Sequence, residues 1–312
     1  MALSRRHFLE LGTSAGTALL LSSLDAMALT SKPKTRIHMN THFDLKVMAT
    51  NWGFPGSIDT YCRQVKQEGY DGIEIWWPLV KGEQEALFNA LKKNGLEVGF
   101  LVGGHEPDFA GHFASFRSML DGAAAVQAVR PLYINCHSGR DYFSFEQNKA
   151  FIDYTIQVAA ASGIRVCNET HRSRILYSAP VARHFIEQIP GLRITLDISH
   201  WCNVHESLLA DQAGTVSLAL QRVDHIHARI GHPEGPQVND PRAPEWEEAV
   251  QAHFSWWDRI VEQKKKSGEP LTILTEFGPP HYMPALPYTL QPVADQWAIN
   301  VHMMHLLRKR YL

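Results

Sequence analysis

Eight short runs of β-branched and apolar residues alternate with eight helix-like segments along this chain, and that alternation leaves few folds open. The strand signals cover 45–50, 72–77, 97–102, 132–136, 164–168, 194–197, 225–228 and 271–276. Helix patterns follow each in turn, at 57–68, 83–93, 109–126, 145–161, 179–188, a shorter one after Asp211, 244–266 and 293–310. Eight strand–helix pairs of this kind predict a parallel (β/α)8 barrel of the α/β class. Gly95, Gly163, Pro190-Gly191 and Ser267-Gly268 separate helices from the strands that follow them. Glycine just past a helix end permits the left-handed backbone common there. No internal sequence repeat and no shift of composition divides the barrel, so one domain is expected over 45–312. The longest irregular stretch beside a strand end, Gly231 to Trp246, is rich in Pro, Gly and Asp. It reads either as a lid over the barrel mouth or as an ordered surface loop.

Ahead of the barrel, Ser4-Arg5-Arg6-His7-Phe8-Leu9 places two arginines before an apolar, small-residue stretch from Gly12 to Leu24. Ala26-Met27-Ala28 then offers small residues where a signal peptidase reads. The segment resembles a twin-arginine export signal. Residues 1–28 are thus expected to be the signal, 29–44 a linker, and the mature protein periplasmic. An amphipathic first helix is the plain alternative. The stretch is shorter than an ordinary membrane span of about 20 apolar residues, and no later segment is apolar enough. With no Cys near the cleavage region, nothing supports a lipid anchor, and no stable membrane insertion is expected after signal removal. About 280 of the 312 residues then remain, close to the ~250 typical of one such barrel. A formal net charge of −2 gives no electrostatic case for nucleic acid. The expected partner is a small-molecule carbohydrate, and homo-oligomerisation is left open. The four cysteines, Cys62, Cys136, Cys167 and Cys202, do not read as a disulfide framework. Strand side chains alternate faces, so Cys136 and Cys167 are expected on opposite faces of the barrel wall as free, buried thiols.

Four strand tails end in a metal-binding side chain: Val-Cys-Asn-Glu169, Thr-Leu-Asp197, His-Ile-His227 and Leu-Thr-Glu276. Tails of parallel barrel strands converge at one mouth. Two glutamates, an aspartate and an imidazole suit one divalent cation such as Mn²⁺, Co²⁺ or Mg²⁺. With no thiolate in the set, a structural zinc site is not indicated. A lone strand-end Glu is often merely solvated, and a lone His-x-His is often a polar strand end. Four such residues on consecutive strands, all with inward parity, point instead to metal-assisted chemistry on an oxygen-rich substrate.

These motifs resemble those of the xylose isomerase-like barrel superfamily, in its sugar isomerase and epimerase branch, over nearly the whole mature chain. Glu169 is similar to that family's first metal-bound glutamate. Asp197-Ile-Ser-His200 resembles its Asp-x-x-His segment, which implies Asp197 as a ligand and His200 as a substrate contact. His225-Ile-His227 resembles the seventh-strand His-x-His, with the second His as ligand, and Glu276 the glutamate that completes the site. His137 and Glu74 match common barrel-mouth positions. The pattern departs from ketose epimerases six residues beyond the ligand His, where an arginine is frequent and Pro233 stands here; Arg229 lies two residues on. The segment Glu169-Thr-His171-Arg172-Ser-Arg174 is more basic than a plain sugar site requires. A substrate carboxylate, phosphate or polarised carbonyl would explain it, as would pairing with local acids, the reading favoured for Arg174. Trp201, beside His200, is the tryptophan expected to wall the sugar, whereas Trp76 and Trp77 are expected in the core.

The chemistry implied is proton transfer at a carbon next to a carbonyl, through an enediolate whose charge a divalent ion stabilises. Glu169 and Glu276 would then act as paired bases on separate strands. His137, His171, Arg172, His200, Arg229, Glu74 and Trp201 would contact substrate. Elimination of the aglycone from an oxidised (3-keto) glycoside needs the same machinery, so a lyase is the alternative enzyme. A carbohydrate-binding barrel without turnover is the third reading. For the leader, changing Arg5 and Arg6 together to Lys should leave the protein in the cytoplasm. Recovery of the double variant from the periplasm at the wild-type level, by fractionation and immunoblot, would refute the twin-arginine route.

Overall fold

Strict inward–outward alternation along eight parallel strands lets the sheet close on itself. The computed structural model describes residues 43–312, so the expected signal segment and most of the linker lie outside the described residues. The strands are β1 (Leu45–Thr50), β2 (Gly72–Trp76), β3 (Glu97–Gly103), β4 (Tyr133–His137), β5 (Arg165–Glu169), β6 (Ile194–Leu196), β7 (Val223–His227) and β8 (Leu271–Thr275). They pair in chain order, all parallel, and β8 returns to β1 at Leu45↔Leu271. Around them run α1 (Ile58–Glu68), α2 (Lys81–Asn94), α3 (Phe109–Ala125), α4 (Phe145–Ser162), α5 (Ala179–Gln188), α6 (Ser199–Val204), α7 (Ala213–Leu220), α8 (Glu247–Ser267) and α9 (Gln296–Tyr311). The expected (β/α)8 barrel is therefore the observed fold. Local chemistry sets the helix ends: Ser144 and Gln147 form a capping box at the start of α4, and Gly163 at φ 65° ends it, a conformation that costs glycine little.

Outward strand residues such as Val47, Ile73, Phe100, Ile134, Ile226 and Ile273 pack under the helices in one continuous core. Inward residues do something else. Met48, Tyr133 and Leu274 form a small separate cluster inside the barrel. Gly99, paired with Tyr133 across β3 and β4, makes room for it: a Cβ there would stand 2.2 Å from the Tyr133 ring. The Tyr133 ring in turn stacks on His225 at 3.9 Å. The barrel interior thus passes from an aromatic floor to a polar upper layer.

Two details differ from the sequence reading. The six-residue α6 is too short to leave a periodic signal. The segment expected as a helix over 244–266 begins as a 3-10 turn, Pro244–Trp246, before α8. The Gly231–Trp246 stretch is ordered and anchored: Val238 N–H donates to Ile230 O at 2.9 Å, and Gln237 exchanges two hydrogen bonds with the Gly278 backbone. All four cysteines are free and buried. Cys136 faces the helix-side core and Cys167 does not, as parity requires. Burial pushes the Cys167 and Cys202 thiols up to about 12. Among the described residues no helix is long and apolar enough to cross a membrane.

At the N-terminal end of β7, buried Asp224 accepts from Arg193 Nε at 2.6 Å and from Lys264 Nζ at 2.5 Å. Burial disfavours its charge, yet Arg193 and Lys264 outweigh that and hold its carboxyl below the usual range. Asp224→Ala removes the acceptor shared by Arg193 and Lys264, although Lys264 keeps Glu269 at 2.6 Å, and should destabilise the fold by about 2 kcal/mol, measured by urea unfolding at pH 7. With the folded-state pKa depressed, the stabilisation is complete above the unfolded value of about 3.9. It is lost as pH falls through the lower folded value, so wild type and variant should converge in acid.

Candidate functional site

Four consecutive strand ends deliver the site. Glu169 closes β5, Asp197 follows β6, His227 closes β7 and Glu276 follows β8. His227 Nδ1 lies 2.9 Å from Glu276 Oε2 and 3.8 Å from Glu169 Oε1. Donor atoms of Asp197, His227 and Glu276 lie within 4.8 Å of one another, as do those of Glu169, Asp197 and His200. His227 Nδ1 and Glu276 Oε2 are both buried, and neither has a hydrogen-bond partner among the described residues. The two form a close imidazole–carboxylate contact that is not aligned as a hydrogen bond. Ligand atoms about 2.1 Å from one cation stand at roughly this spacing. The residues present therefore fit a divalent cation. Asp197 is the donor most engaged by protein: its Oδ1 accepts from Ser199 N–H at 3.2 Å, and its Oδ2 pairs with Arg229.

Charge is scarce on one side of this balance. Burial, against the pull of Arg229, pushes Asp197 up to about 6. Burial disfavours charge on His227, but Glu276, Glu74 and Glu169 outweigh it and raise that imidazole well above its ordinary value. The carboxylates thus demand a positive charge at the His227 ring. Arg229 answers part of the demand: its Nη2 lies 3.5 Å from Glu276 Oε2 and 2.8 Å from His200 Nε2.

Behind the strand ends a supporting layer fixes their orientation. Glu74 Oε1 lies 3.3 Å from His227 Nε2, and its Oε2 3.2 Å from His225 Nε2. His225 Nδ1 meets Thr272 Oγ1 at 2.8 Å. Asn135 Nδ2 donates to Glu169 Oε2 at 2.6 Å, and His137 Nε2 stands 3.0 Å from the same oxygen. Above them opens a cavity of about 510 Å³, lined among others by Trp76, His137, His171, Arg174, Arg229, Glu276 and Tyr282.

Of the expected substrate contacts, His137, His171, Arg229 and Glu74 line this cavity. His200 is fully buried behind it, its ring 3.8 Å from that of His171. Arg172 lies over the Tyr282 ring at 4.9 Å. Trp201 is a correction. Its indole is fully buried in the helix-side core and donates to Leu176 O at 2.9 Å, because α6 turns it away from the mouth. Trp76, expected in the core, is 41% exposed and walls the cavity instead. Sequence reasoning also passes over Asn135 and Tyr282, and names His225 only as part of the His-x-His motif, without a role. Inward parity on β4 and β7 marks Asn135 and His225. Tyr282 sits in the irregular stretch after β8, where no periodicity exists to mark it.

Residues 62–246 match the family described as Xylose isomerase-like TIM barrel. The chain belongs to that family. Among solved structures, it is similar to 3-keto-D-glucoside 4-epimerase YcjR from E. coli, at 18% identity and TM-score 0.59, over 85% of this chain and 100% of that one. A D-tagatose 3-epimerase-like protein is 14% identical with TM-score 0.56, over 85% and 96%. Endonuclease IV from Thermus thermophilus is 15% identical with TM-score 0.50, over 85% and 98%. At such identities the likeness is one of fold. No curated protein matches the sequence.

In this xylose isomerase-like barrel, Glu74 touches the back of His227 and thereby orients its Nδ1. Outer partners of metal ligands typically contribute about 10–100-fold in metal affinity. Glu74→Gln should weaken Mn²⁺ binding by about that factor in calorimetric titration, with the melting temperature little changed. Unaltered affinity would remove Glu74 from this role.

Proposed function

We propose that this protein is a divalent-metal-dependent sugar isomerase or epimerase that moves a proton at a carbon next to a carbonyl. The observation that carries the reading is the buried group Asp197, His227 and Glu276, whose donor atoms lie within 4.8 Å of one another, with Glu169 Oε1 3.8 Å from His227 Nδ1. Mn²⁺, Co²⁺ and Mg²⁺ all suit this donor set. The epimerase names of two structural neighbours support a carbohydrate substrate. When bound, the cation supplies positive charge to the substrate oxygens on which charge develops as the C–H ionises.

The side chains divide the remaining work by position. Glu276 lines the cavity with its side chain 13% exposed, so it is the carboxylate that reaches a substrate C–H directly. Glu169 is more deeply buried, at 1% side-chain exposure, and stands behind His137. A proton bound for Glu169 passes by way of the His137 imidazole, which itself faces the cavity. Burial, with His137 beside it, holds His171 well below its ordinary value, so it meets hydroxyls as a neutral ring. The Arg229 guanidinium, fixed on Asp197, offers its cation to a polarised oxygen.

One observation favours elimination as a second reading. An apolar cavity of about 520 Å³, lined by Phe54, Tyr61, Leu79 and Leu87, shares Asn51, Ile75 and Trp76 with the mouth. An apolar aglycone would lie there, and a leaving group next to the ionised carbon departs where a hydroxyl stays. Metal-loaded protein incubated in D₂O with free, oxidised and glycosylated sugars separates the two by NMR. Deuterium next to the carbonyl is expected for the isomerase, loss of aglycone for the lyase. Glu276→Gln should keep part of the metal affinity and lower turnover by about 10²-fold or more. Exchange at the wild-type rate in that variant would reduce Glu276 to a ligand.

A further inference from the structure

The loops after β4 and β5 carry three arginines with different surroundings. Arg172 rests over the Tyr282 ring. Arg174 lines the cavity, yet its Nε and Nη1 are buried and hydrogen-bond to nothing among the described residues. The Nε of Arg140 is buried and unpartnered in the same way. Pairing with a local acid, the sequence expectation for Arg174, does not occur. Asp141 and Glu169 influence it without touching it, while burial and then Arg140 lower its basicity. Side chains left this free would ordinarily swing toward solvent. Here the backbones that carry them are fixed. Arg174 N–H closes a turn on His171 O at 3.1 Å, with Ser173 at φ 60°. Asn148 on α4 clamps the Arg140 backbone with hydrogen bonds of 2.8 and 3.3 Å. Ile175 N–H donates to Ser138 O at 3.2 Å and ties the two loops together.

A guanidinium held in a cavity wall with unmet N–H groups costs the ligand-free fold stability. An anion on the ligand offsets that cost. We propose that Arg174 recognises a carboxylate on the substrate, so that the sugar is an acid of the uronate class. This rests on the mouth being the substrate site, as proposed above. A carboxylate fits better than a phosphate ester. Glu276 lines the same cavity and Glu169 stands behind His137, so a dianion meets more repulsion there than a monoanion does. Planar guanidinium also matches a carboxylate in geometry.

Calorimetric titration of the full protein with D-glucuronate, D-glucose and glucose 6-phosphate, in the presence of Mn²⁺, tests the assignment without needing turnover. Glucuronate should bind at least about tenfold more tightly than glucose, the difference expected of one charge-assisted contact. Arg174→Gln should bring the two within about twofold, and Arg174→Lys should keep part of the preference. In the absence of ligand, Arg174→Gln should raise the melting temperature by about 2 °C or more, since it removes an unpaired charge. The proposal is overturned by undetectable glucuronate binding, by equal binding of glucose, or by tighter binding of the phosphate. A preference that survives Arg174→Gln, or a lowered melting temperature, overturns it too. Should the isomerase reading fail instead, turnover would be absent while the glucuronate preference stood.

Discussion

Negative charge buried at one end of the barrel is the constraint to which the rest of the site responds. Glu74, Glu169 and Asp197 are almost wholly enclosed, and Glu276 borders them. Carboxylates withdrawn from water must be paired, protonated or bound to a cation. Arg229 neutralises one of them in part. The His227 imidazole is driven toward its protonated form by three others. Burial raises the Asp197 carboxyl above the ordinary aspartate range even with Arg229 against it. The proposed divalent ion would supply the positive charge that this enclosure lacks.

Stacked supports beneath that layer make the arrangement rigid. Tyr133 occupies the space that Gly99 leaves, and lies flat on His225. His225 is held by Thr272 and faces Glu74, which faces His227. Each contact limits the rotamers of the next, so the orientation of His227 Nδ1 is decided several residues below it. Asn135 does the same for Glu169 from β4. Preorganisation of this kind, on strands rather than loops, is what keeps charged groups in place at small reorganisation cost.

Period-two alternation makes the barrel and the four strand-end residues Glu169, Asp197, His227 and Glu276 legible in the sequence. Parity alone places Glu169 and His227 inside and Cys136 outside, and both placements are observed. The same rule, applied one step further, marks Asn135 and His225, which share faces with His137 and His227. Trp201 escapes it because α6, a single short helix, rotates the residues after Asp197 by an amount no strand rule anticipates. Tyr282 is invisible for another reason. It reaches the mouth from the irregular stretch after β8, whose path depends on Gln237 holding Gly278 and on Gln296 bonding to Trp52 O and Phe277 O. Long-range side-chain–backbone contacts of that sort leave no local pattern. The unpaired state of Arg174 is likewise a property of space: Glu169 stands five residues before it and turns to Asn135 and His137 instead.

The aromatic floor also decides traffic. Met48, Tyr133 and Leu274 fill the barrel's centre, so the chamber above them is a well closed at its base. A molecule that enters at the mouth cannot pass through the barrel and leaves at the same end, and water displaced by an arriving molecule departs against its direction of entry. Forward and backward passages therefore compete for one opening. If the proposed turnover takes place at the bottom of this well, a product there is as well placed to be turned over again as to escape, and slow release would show as several exchanges of the labile hydrogen for each departure.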